Sequence, residues 1–493
     1  MRLNPLTAID FYKADHRRQY PEGTEYVYSN FTPRSGKLAP LLETYDDKVV
    51  FFGLQGFIKH FLVETWNEAF FNKPKVGIVK AYKDRMDGAL GVDAVPTDHI
   101  EALHDLGYLP IRIKALPEGS RVNMRVPMLT VVNTIPEFFW LTNYLETCLS
   151  AGLWKSCATA TVAYEYKKLL RDAALKTGVD LEGIAVQAHD FSFRGMSGIH
   201  DAVQHGAGHL TSFIGTDTVA AIDYLEDYYN ADGIIGVSVP ATEHSVMCMG
   251  TKEDEVETFR RLIEDLYPKG IVSIVADTWN FWQVVTEFTV ALKDKILARK
   301  PNELGLAKVV FRPDSGDPVK IICGDPDAPK DSPAFKGAVE CLWDVFGGTE
   351  TEAGYRVLHE RVGLIYGDSI TLERAKRILD GLAAKGFASS NIVLGIGSYT
   401  YQYMTRDSFG FAMKATWGQV AGEGRDIFKD PITDSGLKKS AKGLLRVEQE
   451  GDDFVLYDQQ TAEQEKLGAF EVVFEDGRLL VDETLESIRQ RLT

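Results

Sequence analysis

The stretch RVGLIYGDS (361–369), followed by ITLERAKRILDGLAAKG (370–386), decides the fold. An apolar run that stops abruptly at a polar tip is typical of a parallel strand buried on both faces. In the second stretch the apolar residues recur on one helical face, with Thr371 placed as an N-cap and Gly386 as the stop. A strand followed by a helix in this way predicts one unit of a parallel α/β domain.

Six further apolar runs also end in charged or hydroxyl-bearing residues. They are AVQAHDFSFRG (185–195), TSFIGTDT (211–218), IIGVSVPATEHS (234–245), IVSIVADT (271–278), KVVFRPDSGDP (308–318) and NIVLGIGS (391–398). Seven such strands predict an irregular parallel α/β barrel, whose active site lies at the carboxyl ends of the strands. The charged residues at these ends are Arg194, Asp217, His244, Asp277, Arg312, Asp314 and Asp368. Arginines and a histidine among carboxylates indicate an anionic, phosphorylated substrate with a metal ion.

The two ends of the chain show a different pattern, with alternating strands and an aromatic-rich helix. The segments are YVYSNFTPR (26–34), PEFFWLTNYLETCLSAGLW (136–154), FVLYDQQ (454–460) and AFEVVFEDGRLLV (469–481). We predict a mixed α+β domain formed by residues 1–154 together with 416–493, beside a barrel domain of residues 155–415. The aromatic residues of the helix are interpreted as core.

Composition excludes several classes of function. With 493 residues, 45% of them hydrophobic, the chain can bury a large core. A net charge of −17 without a basic run argues against nucleic-acid binding. No apolar run approaches the roughly 20 residues of a membrane span, and no secretory signal is evident, so we expect a cytoplasmic protein without a membrane partner. The scattered cysteines are expected to be buried thiols: Cys148, Cys157, Cys248, Cys323 and Cys341.

Each candidate site residue also has an ordinary structural interpretation. Arg194 can grip a phosphate and Phe191 can stack on a flat ring, or both can be structural. His244 alone is more often structural, but Asp277 at the end of another predicted strand could orient it as a nucleophile or base. His205 and His209 have a metal-like spacing, although no third zinc ligand follows from the local pattern.

Phosphate and ribose chemistry is suggested by two further tips. In FRPDSGDP, Arg312 can hold phosphate, and Asp314 can hold a ribose hydroxyl or a metal. In IYGDS, Gly367 permits close backbone approach and Asp368 can bind a diol. GIGSYT does not match the dinucleotide motif G-x-G-x-x-G, and no P-loop is present. Any ATP that is used must therefore be held in another way.

In this order, the motifs HDFSFRG, GTDTVA, SVPATEHS, VSIVADT, RPDSGDP, YGDS, TRD and FKDP resemble the nicotinamide phosphoribosyltransferases, which are type II phosphoribosyltransferases. DFYKADHRRQYP and WLTNYLET extend the likeness, which runs from about Asp10 to Gly443. The resemblance implies an irregular α/β barrel beside a mixed domain. It implies transfer of phosphoribose from phosphoribosyl pyrophosphate to nicotinamide in NAD salvage, with Mg²⁺, with ATP as co-substrate, and with active sites shared across a homodimer.

The same resemblance implies roles for individual residues. Phe191 and the partner's Tyr12 would sandwich the pyridine ring, and Asp217 would accept a hydrogen bond from the carboxamide. The pocket wall would be formed by Ser238, Val239 and Ser273. Pyrophosphate would be bound by Arg194, His244 and Arg312. The ribose would be bound by Asp314, Gly367 and Asp368. The 5′-phosphate would be bound by Gly397 and Ser398, with Arg406 and Lys414 of the partner. ATP would phosphorylate His244, oriented by Asp277, and the metal ligands are left unassigned.

One departure from the family pattern and three alternatives stand beside this interpretation. Where the family has GSGGG, the chain has Gly395-Ile396-Gly397-Ser398-Tyr399; Ser398 still offers a backbone N–H, and Tyr399 adds bulk. A nicotinate phosphoribosyltransferase is the nearest alternative, but Asp217 would repel the carboxylate of nicotinate. The others are a non-catalytic binding protein on the same fold and an unrelated barrel enzyme acting on sugar phosphates.

Overall fold

A computed structural model describes residues 3–429 and 441–493. Its centre is a six-stranded sheet in which every neighbouring pair is parallel. In spatial order the strands are Gly215–Thr216, Ala188–Asp190, Val393–Ile396, Val362–Tyr366, Val309–Arg312 and Val272–Val275. All six were predicted as strands from the sequence.

The seventh predicted strand closes the sheet without becoming a regular strand. Val237 forms a parallel bridge with Gly215 at one edge of the sheet, and Ala241 forms one with Ser273 at the other edge. Between them Pro240 has no N–H to donate, which limits ladder pairing, although its carbonyl accepts from the Ser273 N–H at 2.9 Å. The predicted irregular parallel barrel is therefore confirmed.

A second, antiparallel sheet is built from both ends of the chain. In spatial order its strands are Glu423–Asp426, Ala412–Val420, Thr24–Thr32, Leu129–Asn133, Ile111–Ala115, Glu471–Glu475 and Arg478–Leu479. The two-stranded pairs are Lys48–Val50 with Arg121–Asn123, Gly348–Glu350 with Arg356–Leu358, and Leu444–Glu450 with Asp453–Gln460. The predicted mixed domain of both termini is confirmed.

The aromatic-rich helix is longer than the sequence indicated. A 3₁₀ turn at Pro136–Phe138 leads into one α-helix, Trp140–Thr177, which ends at Gly178 with a φ of 69°. We expected the helix to end near residue 154, but no proline or glycine cap interrupts the stretch that follows. The helix is continuous across the predicted domain boundary at 154/155, and the division into domains stays a prediction.

The helix after the YGDS tip matches its prediction closely. It spans Leu372–Ala384, and the Thr371 hydroxyl accepts from the Arg374 N–H at 3.2 Å. The other longer α-helices are Lys75–Leu90, Asp98–Leu106, Ile199–His209, Val219–Tyr229, His244–Met249, Glu255–Arg260, Pro318–Cys323, Ala338–Phe346 and Leu485–Gln490. Within 3–429 and 441–493, no helix is both long enough and apolar enough to cross a membrane.

The cysteine prediction is only partly correct. Cys157, Cys323 and Cys341 are buried, but Cys148 is half-buried and Cys248 is exposed on the short helix that begins at His244. Met247 is the buried residue of this helix, and Cys248 lies on its exposed side. Of the motif FKDP, the residues Asp430 and Pro431 lie outside the described residues.

Candidate active site

The residues predicted at the strand tips gather at one end of the barrel. A buried carboxylate, Asp190, fixes two of the turns there. Its Oδ1 accepts from the Ser192 N–H at 2.9 Å and from the Ser192 hydroxyl at 2.6 Å, and its Oδ2 accepts from Thr218 Oγ1 at 2.6 Å. Phe191 lies between Asp190 and Ser192, and Asp217 directly precedes Thr218. These hydrogen bonds therefore fix the backbone that carries both side chains. Sequence reasoning did not single out Asp190.

Asp217 is held by two donors on one oxygen. His189 Nε2 lies 2.9 Å and Ser238 Oγ lies 2.6 Å from Asp217 Oδ1. Burial would raise the pKa of Asp217, but the hydrogen bonds from His189 and Ser238, with the charge of Arg312, outweigh it and lower the pKa. Asp217 is therefore an ionised acceptor. Ser238 was predicted here, whereas His189 was missed, although it precedes Phe191 by two residues on the same strand face.

Phe191 depends on a glycine in the neighbouring strand. A Cβ at Gly395 would lie 2.6 Å from Phe191 Cδ2 and 2.8 Å from the Tyr366 carbonyl oxygen, so only glycine leaves room for the ring. The ring centroids of Phe191 and His189 are 4.7 Å apart at 47°. His189 thus lies against the Phe191 ring and is hydrogen-bonded to the Asp217 carboxylate. Val239 lies half-buried beside Ser238, and Ser273 is buried within its strand.

A histidine and two carboxylates form a second group on the rim. His244 Nε2 lies 3.0 Å from Asp277 Oδ1, and the Asp314 N–H donates to Asp277 Oδ2 at 3.1 Å. The Asp277 side chain is 6% exposed and the His244 side chain 47% exposed. A buried carboxylate thus orients an accessible imidazole, which is the arrangement of an activated nucleophile or base.

Arg312 links these groups to the turn at residues 367–369. Its Nη2 donates to the Thr242 carbonyl at 2.8 Å, while its buried Nε has no hydrogen-bond partner among the described residues. Burial raises the pKa of Asp314. The positive charge of Arg312 acts to lower this pKa, and the negative charges of Asp277 and Asp368 act to raise it further. The predicted charges therefore lie close enough to act on one another.

A second glycine makes room in the turn at residues 367–369. A Cβ at Gly367 would lie 2.5 Å from Asp314 Oδ1, so glycine is what lets this turn approach the carboxylate. Asp368 follows directly, and Ser369 has a φ of 50°, in the left-handed region. The tips of two neighbouring strands, Val309–Arg312 and Val362–Tyr366, thus meet at a carboxylate pair.

Residues 395–399, which differ from the family pattern GSGGG, lie beside Arg194. Gly397 precedes the short helix Ser398–Tyr401, and a Cβ at Gly195 would collide with the Ser398 side chain. The Arg194 turn and the Ser398 turn are therefore in contact. Tyr399 packs against Tyr403 with ring centroids 4.7 Å apart, and both side chains are exposed.

The remaining three predicted residues are Tyr12, Arg406 and Lys414. Tyr12, 62% exposed, lies on the 3₁₀ helix Phe11–Asp15, and Arg406 is close enough for its charge to act on the Tyr12 hydroxyl. Lys414 lies in the strand Ala412–Val420. Within the described part of the chain, no ring contact joins Tyr12 to Phe191.

Comparison with known proteins identifies the family. Residues 186–476 match the nicotinate phosphoribosyltransferase family, and residues 4–84 match the N-terminal domain of nicotinamide phosphoribosyltransferase. A nicotinamide phosphoribosyltransferase of Acinetobacter baylyi is 72% identical over 491 residues, covering 100% of this chain and 97% of the relative. One of Xanthomonas campestris is 33% identical over 494 residues, covering 99% and 97%.

The chain belongs to the nicotinate phosphoribosyltransferase family. The family predicted from the motifs is thereby confirmed. Two solved structures share the fold at 14% identity: a nicotinate-nucleotide pyrophosphorylase of Pyrococcus furiosus, with a TM-score of 0.56 over 98% of this chain and 93% of the other, and a human nicotinic acid phosphoribosyltransferase, with 0.53 over 98% and 92%. An unrelated barrel enzyme acting on sugar phosphates is excluded.

Proposed function

We propose that this site joins nicotinamide to phosphoribosyl pyrophosphate, giving nicotinamide mononucleotide and pyrophosphate. The reaction is that of the relative 72% identical to this chain, and it belongs to NAD salvage. The observation that carries it is the hydrogen bonding of Asp217 Oδ1, which lies 2.9 Å from His189 Nε2 and 2.6 Å from Ser238 Oγ, with His189 packed against the Phe191 ring. We expect the reaction to take place in the cytoplasm, as the sequence predicts.

The acceptor pocket fits an uncharged pyridine carboxamide. Stacking on Phe191 would hold the ring, and Asp217 would accept a hydrogen bond from the carboxamide NH₂. Ser238, Val239 and Ser273 would form the wall. Nicotinate would bring its own carboxylate against an ionised Asp217, which disfavours it as the acceptor.

The remaining rim fits the phosphoribosyl donor. We assign pyrophosphate binding to Arg194, Arg312 and His244, in keeping with the unpaired, buried Arg312 Nε. The ribose hydroxyls are assigned to Asp314 and Asp368 with the Gly367 backbone. As the bond from C1 to pyrophosphate breaks, positive charge develops on the ribose, and nearby carboxylates stabilise it. The pyridine nitrogen supplies the electron pair of the new bond.

A divalent metal ion, Mg²⁺, fits this donor set without a ready-made protein cage. Among the residues described, no group of three or more potential ligands is poised to hold a metal. Mg²⁺ is usually held by one or two carboxylates together with substrate phosphates, and Asp277, Asp314 and Asp368 are the carboxylates at this rim. When bound, the ion would stabilise the negative charge of the leaving pyrophosphate.

The His244–Asp277 pair suits phosphorylation by ATP. With Nε2 held by Asp277, the nitrogen left for attack is Nδ1. Nδ1 would attack the γ-phosphorus, the bond to ADP would break, and Asp277 would stabilise the proton on Nε2. Hydrolysis of this phosphohistidine would be coupled to the transfer reaction.

A homodimer with shared sites is supported by the setting of Tyr12. The segment is anchored by Lys13, whose ammonium donates to the Asn143 carbonyl and to Glu146, each at 2.9 Å. Tyr12 itself remains largely exposed, next to Arg406. An exposed aromatic on a fixed support can close the open face of a ring stacked on Phe191 in a second subunit. Arg406 and Lys414 would approach the 5′-phosphate with it, opposite Gly397 and Ser398.

The proposed function is tested by pyrophosphate release. Purified protein with Mg²⁺ and phosphoribosyl pyrophosphate should release pyrophosphate only when nicotinamide is added, with one nicotinamide mononucleotide formed for each pyrophosphate. Release of pyrophosphate at the same rate without nicotinamide would contradict the proposal. Arg312→Ala should raise the KM for phosphoribosyl pyrophosphate while changing the KM for nicotinamide little.

A further inference from the structure

His189 connects the two halves of the acceptor pocket. Its Nε2 is 2.9 Å from Asp217 Oδ1, and its ring centroid is 4.7 Å from that of Phe191. We propose that His189 is a positioning residue that determines specificity, fixing Asp217 so that one carboxylate oxygen faces the carboxamide of nicotinamide. This inference rests on the proposed function and adds a residue to it.

The hydrogen-bond roles follow from the charge of Asp217. An ionised carboxylate only accepts hydrogen bonds, so both His189 Nε2 and Ser238 Oγ must be donors. Both donate to Oδ1, and within residues 3–429 and 441–493 Oδ2 accepts none. Two donors from different segments fix the plane of the carboxylate. The second oxygen is thereby held ready for one N–H of the substrate.

The imidazole occupies a space that its neighbours leave open. His189 is paired with Gly215 on one side and with Gly395 on the other. A Cβ at Gly215 would lie 2.9 Å from His189 Nδ1, which is closer than ordinary packing permits. At Gly395, a Cβ would meet the Phe191 ring instead. Glycines on both neighbouring strands therefore leave the space that the His189 and Phe191 rings occupy.

Loss of His189 would loosen the discrimination against nicotinate. Asp217 would keep only the Ser238 hydrogen bond, and its side chain, 44% exposed, could turn toward solvent. A carboxylate that can turn away contributes less to binding nicotinamide and repels nicotinate less. Both effects act on the acceptor, so the affinity for phosphoribosyl pyrophosphate should change little.

The test is steady-state kinetics of His189→Ala and His189→Gln against the wild type, with each substrate varied in turn. A glutamine amide nitrogen can take the place of Nε2 as donor, whereas alanine removes it. For His189→Ala we expect the KM for nicotinamide to rise about tenfold, from loss of a hydrogen bond to a charged group, with kcat and the KM for phosphoribosyl pyrophosphate within about twofold. The preference for nicotinamide over nicotinate should fall by a similar factor, and His189→Gln should recover most of both.

Gly215→Ala provides a second variant that leaves His189 and Asp217 chemically intact. It should displace the imidazole and raise the KM for nicotinamide in the same direction. His104→Ala, on the helix Asp98–Leu106 of the terminal domain, is the matched histidine control, with unchanged kinetics expected. An unchanged KM for nicotinamide in His189→Ala, or a His189→Gln variant as weak as alanine, would overturn the inference. Wild-type turnover of nicotinamide separately tests the proposed function.

Discussion

Replacement of Asp217 by asparagine should put a hydrogen-bond donor where the wild type has a hydrogen-bond acceptor for the substrate. His189 and Ser238 both donate to Oδ1, so the asparagine oxygen must take that position. The amide nitrogen then faces the substrate, where it is a donor. A donor there suits the carboxylate of nicotinate and no longer accepts from the carboxamide NH₂ of nicotinamide.

The magnitude follows from the charge that is removed. Two unit charges about 4 Å apart repel by about 4 kcal/mol at an effective dielectric constant of about 20, and by about 1 kcal/mol in water. Because the Asp217 side chain is 44% exposed, screening places the repulsion nearer the lower figure. About 2 kcal/mol corresponds to roughly 30-fold in kcat/KM for nicotinate. For nicotinamide, loss of a charge-assisted hydrogen bond should cost about tenfold.

The assay is kcat/KM for nicotinamide and nicotinate, each at saturating phosphoribosyl pyrophosphate, for the wild type and Asp217→Asn. Asp223→Asn, an exposed carboxylate on the next helix, is the matched control and should leave the ratio within about twofold of the wild type. Since the pKa of Asp217 is lowered, its carboxylate is ionised at the neutral pH of the assay. A ratio in Asp217→Asn equal to that of the wild type would refute the assignment of Asp217 to the carboxamide.

Three further results are expected. Gly367→Ala should raise the KM for phosphoribosyl pyrophosphate about tenfold, because its Cβ would lie 2.5 Å from Asp314 Oδ1. An unchanged KM would contradict the assignment of this turn to ribose binding. ATP labelled at the γ-phosphate should give an acid-labile label that is absent in His244→Ala, and equal labelling of the variant would indicate another acceptor. Tyr12→Ala and Phe191→Ala homodimers should both be weak, while a purified heterodimer of the two should regain activity in one site; a heterodimer no more active than its parents would contradict shared sites.

The barrel could be predicted because its strands and their tips are local in sequence. A run buried on both faces has a composition that loops rarely share, and the tip residue follows directly, as Asp368 follows Val362–Tyr366. Parallel strands then bring all tips to one end, so distant motifs could be assigned to one site. The helix after Thr371 was predictable for the same reason, since cap and apolar face lie within one segment.

What the sequence could not provide depends on contacts between segments. Nothing local marks His189 as the partner of Asp217, because that hydrogen bond exists only once two strands pair. The buried Asp190 looks like any aspartate in sequence, and only its hydroxyl partners show that it fixes two turns. The long helix Trp140–Thr177 extends beyond its predicted end near residue 154, because no proline or glycine occurs between residues 155 and 177 to terminate it.

Selection of a neutral carboxamide by this pocket can be measured with both acceptors in one reaction. The wild-type protein is given phosphoribosyl pyrophosphate, Mg²⁺ and equal concentrations of nicotinamide and nicotinate in one reaction. The two mononucleotides are then separated and quantified before either acceptor is depleted. We predict nicotinamide mononucleotide in at least about tenfold excess, because Asp217 repels the charge of nicotinate. Equal amounts, or an excess of nicotinate mononucleotide, would contradict it.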